Sequence, residues 1–191
     1  MKTESKLLLG GVLLIVGAAV AAAPAVAKSM RMPVDFWEVS CETEPGRTWI
    51  SDDGVLHNRG RVSQAVFYAY DESLGAGVLV GEDTVVSNAN LDPATFSGRV
   101  FGTFTLTYLP ASELGTFDGK FTGSLTGGVS FIGRAVGHGT GPLRGKKMKL
   151  SFATPELPLW LLEVLEENPP ACGQSVGIYH DTGYILAPGG R

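Results

Sequence analysis

The sequence predicts an all-β chain: an antiparallel, closed or nearly closed β-barrel of about eight strands, with one short helix near 157–167. Three observations predict it. Glycine makes up 26 of 191 residues, about twice the usual share of roughly 7%, with no Gly-X-Y period to indicate collagen. Apolar and polar residues alternate with period two through the middle of the chain, as in strands with one face on a core and one in water. Short repeats separated by turn residues then give a meander: Gly102-Thr103-Phe104 recurs 13 residues on as Gly115-Thr116-Phe117, and Phe121-Thr122-Gly123 recurs 10 on as Phe131-Ile132-Gly133. Closing such a meander removes exposed strand edges. A β-sandwich is the alternative.

Residues 1–27 read as a signal peptide. Lys2 and Lys6 precede an uncharged run from Leu7 to Ala27, Pro24 breaks it, and Ala25-Val26-Ala27 offers the small residues that a signal peptidase reads. Cleavage after Ala27 leaves 28–191 as a single barrel domain. An uncleaved membrane anchor is the competing reading, because 21 uncharged residues just span a bilayer. Either way the domain is secreted or extracytoplasmic, and it meets a membrane only through residues 7–27, if these stay uncleaved. At 44% apolar and 18% charged residues, the domain can bury a real core. A net charge of −4 argues against a nucleic-acid partner, which calls for a basic surface.

Export gives the cysteines a meaning. Cys41 and Cys172, the only two and 131 positions apart, can bridge in an oxidising compartment. Such a bridge contributes roughly 2–4 kcal/mol. Two buried free thiols are the alternative. Two cysteines with three scattered histidines show no metal-ligand spacing, so neither a metal nor another cofactor is expected.

The clearest strands carry Phe104, Leu106 and Tyr108 on one face, then Phe117, Phe121 and Leu125, then Met148, Leu150 and Phe152. Less regular segments run over Val34–Cys41, Thr48–Ser51, Val62–Tyr70, Gly77–Val80 and Val85–Asn90. Turns are expected at Asp52-Asp53-Gly54, Asp92-Pro93, Ser97-Gly98, Asp118-Gly119 and Gly127-Gly128. Leu157, Trp160, Leu161, Val164 and Leu165 follow helical spacing instead, with Pro158 suited to a first turn and Asn168-Pro169-Pro170 as a stop. Gly183-Tyr184-Ile185-Leu186 reads as the closing strand.

The motifs that carry chemistry mostly fail. Gly173-Gln174-Ser175-Val176-Gly177 matches a hydrolase elbow in letters, yet no strand-to-helix unit surrounds it. The glycines from Gly137 to Gly141 do not make a phosphate loop, because Lys147 stands where a hydroxyl should meet magnesium. His57, His138 and His180 read as solvated or structural, and no spacing of the acids specifies a reaction.

The run Gly137-His138-Gly139-Thr140-Gly141-Pro142-Leu143-Arg144-Gly145 and the strand after it, with the Phe-x-Gly rhythm before it, resemble allene oxide cyclase-like and dirigent-like barrels of calycin-like architecture, including exported bacterial members. The resemblance covers about 20 to 35 residues and implies a barrel. It also implies, as one alternative, a cyclase or isomerase acting on an apolar acid in the cavity. The Pro-Phe-x-Asn segment of the plant cyclases has no counterpart here, so no catalytic residue is carried over.

Residues 119–155 contain no Asp or Glu but hold Lys120, Arg134, Arg144, Lys146, Lys147 and Lys149. This window is either a solvated strand face or an anion-attracting patch. The candidate ligand residues are therefore Phe104, Tyr108, Phe117, Phe121, Phe131 and Phe152 inside the barrel, with Arg134 and Arg144 for an acidic amphiphile if the cavity opens beside them. Small barrels usually fill themselves with side chains. Non-catalytic binding of a small apolar or amphipathic ligand, or of an extracytoplasmic partner, accordingly ranks above catalysis, and a purely structural surface protein is the third reading. One feature decides among them. A filled interior leaves only an outer-surface role, whereas an open one of about 300 Å³ or more holding a buried His or carboxylate favours an enzyme.

Overall fold

A computed structural model describes residues 29–109, 114–167, 169 and 176–188. The expected signal peptide, Cys172 and Ser175 lie outside them. Nine strands follow in chain order: β1 Met30–Glu44, β2 Arg47–Ile50, β3 Leu56–Asp71, β4 Ala76–Asp92, β5 Ser97–Tyr108, β6 Gly115–Thr126, β7 Ser130–Thr140, β8 Lys147–Ala153 and β9 Val176–Ala187. Sequential neighbours pair antiparallel from β3 round to β9 wherever the chain is described. β1 then closes the ring, pairing with β9 from Met30 to Cys41 and with β3 from Trp37 to Glu44. The result is a closed eight-stranded barrel, not a sandwich, with β2 a short extension along β3.

Alternation sets the two surfaces. Phe104 and Leu106 of β5, Phe117 of β6, and Met148, Leu150 and Phe152 of β8 are buried inside, as their period-two spacing requires. The Phe-x-Gly rhythm has a packing cause. Inward phenylalanines lie over glycines of the next strand: Phe121 over Gly102, Phe104 over Gly119, Phe131 over Gly123 and Phe152 over Gly133. A Cβ at any of those glycines would meet a ring well inside contact distance. The glycines are the seats of the aromatic core.

Two expected turns and one strand division are corrected by this packing. Gly77–Val80 and Val85–Asn90 belong to one continuous strand, β4, which bulges opposite Phe67 and Tyr68 rather than breaking. Asp118-Gly119 lies mid-strand in β6, because Gly119 receives a ring and makes no turn. Ser97-Gly98 opens β5; the chain reverses just before it, where the Phe96 N–H donates to the Asp92 carbonyl at 2.8 Å. Gly137 to Thr140 continue β7, and the glycine-rich turn is a short 3-10 segment over Gly141–Leu143.

That last turn plugs one end of the barrel. Leu143 is 1% exposed and packs with Phe36, Phe117, Met148 and Ile185 in the core. It fits because Gly115 and Gly139 present no Cβ toward it. The single α-helix among the described residues, α1 (Leu159–Glu167), starts two residues later than the periodicity predicts, with the Pro158 carbonyl accepting from the Leu161 and Leu162 N–H groups. It rests on the outer wall, where Trp160 lies against Gly77 of β4. No helix among the described residues is long and apolar enough to cross a membrane.

Gly139→Ala tests the plug. Its methyl group would strike the Leu143 carbonyl oxygen, a backbone atom that cannot swing aside. A loss of roughly 2–4 kcal/mol in urea unfolding is expected, in the range of core overpacking and backbone strain. Ser124→Ala on the exposed face of β6 should stay within about 0.5 kcal/mol.

Candidate functional site

The half of the barrel away from the plug is open. A cavity of about 460 Å³ runs to the β6–β7 turn, where Gly128 and Val129 line it. One wall is apolar: Phe104, Phe121, Phe131 and Phe152 with Leu106, Ala135 and Leu150. Edge-to-face contacts fix these rings, as between Phe121 and Phe152 at 6.2 Å and Phe131 and Tyr179 at 5.7 Å.

The opposite wall carries acids from three strands. β1 sends Glu38, Ser40 and Glu42 to the cavity, β4 sends Asp83 and Ser87, and β9 sends Tyr179 and Asp181. Asp83 and Asp181 are 6% and 2% exposed, too little for water to stabilise two charges. Burial pushes Asp83 up to about 7, opposed by hydrogen bonds from the Thr105 and Thr84 backbone; Thr105 N–H donates to Asp83 Oδ1 at 3.0 Å. Asp181 is pushed up to about 8 by burial and then by the charge of Asp83. Burial also raises Glu38 well above the ordinary carboxylate range, reinforced by Asp181 and Asp83 and opposed by Ser40. Tyr179 rises to about 12 for the same leading reason. Asp181 Oδ2 is buried without a hydrogen-bond partner among the described residues, and this atom lacks what a buried polar group normally has. Also on this wall, Arg61 of β3 pairs with Glu42 at 2.5 Å.

Of the residues expected to meet a ligand, Phe104, Phe121, Phe131 and Phe152 line the cavity. Phe117 points inward but is wholly buried in the plugged half. Tyr108 packs beside Phe36, ring centres 6.4 Å apart, and does not line the cavity. Arg134 and Arg144 are corrected outright. Both are exposed outside the cavity, Arg134 on β7 between Thr122 and Ser151, and Arg144 just after the plug. The basic window thus forms part of the outer face of β6, β7 and β8. The histidines also lie elsewhere: His57 bonds Asn90 and Ser51, His138 is exposed, and His180 meets Asp35.

Glu38, Asp83 and Asp181 are the residues that sequence reasoning missed. A parity signal was present. Asp181 shares its alternation with Ile185, Asp83 with Val85, and Glu38 with Val34 and Phe36. Among the described residues no group of three or more His, Cys, Asp or Glu is arranged to hold a metal ion. The chain matches no protein-family model, no curated protein and no solved structure.

The buried acids impose a pH dependence on stability. Their folded pKa values lie above the unfolded value near 3.8, so the native state holds more protons than the unfolded chain between about pH 4 and 8. Stability therefore falls as pH rises through that window. Asp181→Asn removes the largest part of the cost, because its amide needs no deprotonation. At pH 8 it should raise unfolding stability by roughly 2–4 kcal/mol and flatten the pH profile, read by urea denaturation at a series of pH values.

Proposed function

We propose that the barrel is a proton-transfer enzyme of the isomerase or cyclase class, acting on a small, mostly apolar carbonyl compound held in the cavity. The observation that carries this is the meeting of Glu38, Asp83 and Asp181 in one open chamber that also has an aromatic wall. The partial resemblance to allene oxide cyclase-like barrels supports the same class. Two carboxyls with different proton affinities can divide the work. Asp83 ionises first, so it takes the proton from the carbon beside the carbonyl. Asp181, still protonated, donates a hydrogen bond to the carbonyl oxygen as charge develops there. Asp83 then returns the proton at the far end of the resulting enolate, and the double bond moves into conjugation with no atom gained or lost. The phenylalanine wall holds the apolar body and excludes water. An acidic ligand is disfavoured, because the cavity gathers four carboxyls against the one guanidinium of Arg61, itself paired with Glu42, and does not open beside Arg134 or Arg144.

The test uses β,γ-unsaturated ketones, beginning with 3-cyclohexenone, and follows the absorbance of the conjugated product. Conversion by the wild-type protein is expected, with Asp83→Asn and Asp181→Asn each slowing it by about 10²-fold or more. If the neutral probe N-phenyl-1-naphthylamine binds but no ketone is converted, the barrel binds without catalysis. If neither occurs, the interior is not a ligand site.

We further propose that the domain is exported and that Cys41 bridges to Cys172. Residues 1–27 carry the export pattern, and Cys41, half-buried on β1, is not a free thiol. Thiol titration of the denatured, unreduced protein should find no free thiol, and finding two would remove the bridge.

A further inference from the structure

A second recess, open to solvent, lies on the outer wall beneath α1. It is lined by Asp35 and Trp37 of β1, Tyr70 of β3, Glu72 of the β3–β4 turn, Trp160 of α1 and His180 of β9. Trp37 and Trp160 meet at 86° with ring centres 6.1 Å apart, forming an aromatic corner. Tyr70 extends it, 5.6 Å from Trp160. His180 stacks on Trp37 at 4.4 Å and places Nε2 2.8 Å from Asp35 Oδ1. The corner is built from below: a Cβ on Gly77 would sit 2.5 Å from the Trp160 ring, so this position holds the indole flat against β4.

From this geometry we infer that the recess is a binding site for a trimethylammonium group. Three aromatic rings, whose faces carry the negative end of the ring quadrupole, border one volume, and the Glu72 carboxylate adds charge of the same sign beside Asp35, which pairs with His180. Among the described residues no Lys or Arg lines it, so nothing there favours an anion. A diffuse, weakly hydrated cation is the ligand that gains most from such walls. Asp35 is 69% exposed on its side chain and Tyr70 48% exposed, so the group enters from solvent without a change of fold. The site lies outside the barrel and does not depend on proton transfer within it.

Choline titration read by tryptophan fluorescence tests this directly. Trp49, on β2 and outside the recess, is replaced by Phe so that the signal reports Trp37 and Trp160. Choline should change the emission saturably, and its uncharged isostere 3,3-dimethylbutanol should bind about tenfold more weakly. Glu72→Gln, an exposed change that leaves packing alone, should weaken choline several-fold, and Gly77→Ala should weaken it by displacing Trp160. Sedimentation with phosphatidylcholine vesicles separates the sources: co-sedimentation assigns a lipid headgroup, and binding of free choline alone assigns a soluble cation. Equal affinity for the uncharged isostere, no effect of Glu72→Gln, or binding of a saccharide in place of choline would overturn the inference.

Discussion

Closure of the sheet is the constraint on which the rest depends. Because β1 pairs with both β9 and β3, every second residue around the ring has only the interior to occupy. An open sheet would let Asp83 and Asp181 turn to water; a closed one holds them at 6% and 2% exposure. Their raised proton affinities follow from that enclosure, with burial the leading cause for each. The same closure makes glycine useful, since rings crossing a narrow interior need seats without side chains.

The barrel is filled from one end only. Leu143 is folded beneath the strands by the Gly141–Leu143 turn, and Phe36, Phe117, Met148 and Ile185 complete the packed half. Beyond them the side chains on one side become short or polar: Ser40, Ser63 and Ser87 stand where larger apolar groups would fill the space. The cavity is a consequence of those small residues, and the acids sit on its wall. A packed half that fixes the strands and an open half that holds buried polar groups is a division of labour seen in many binding sites: rigidity supports a costly arrangement nearby.

Much of the fold was legible because alternation and turn chemistry are local. The strands through Phe104, Phe117 and Phe152 declared their inner faces in the sequence itself, and the helix was readable from Leu157 to Leu165. Where the reading failed, tertiary contact had overridden local preference. Asp118-Gly119 has the letters of a turn, but Gly119 serves as the seat of Phe104. The site was less legible. Its acids lie on β1, β4 and β9, and only barrel closure brings these strands around one space. Arg134 and Arg144 stood out by charge, yet alternation already placed Arg134 opposite Ala135 and therefore outside.

The central claim is that carboxyls inside this barrel remain protonated near neutrality. Carbon-13 NMR titration of the aspartate side-chain carboxyl carbons measures it directly, with Asp83→Asn and Asp181→Asn providing the assignments. Two aspartates should titrate far above the ordinary range, with midpoints about 7 and about 8, and the higher one should shift downward when Asp83 is replaced. If every aspartate instead titrates below about 5, close to its free value, the acids are not enclosed and this account of the site is wrong.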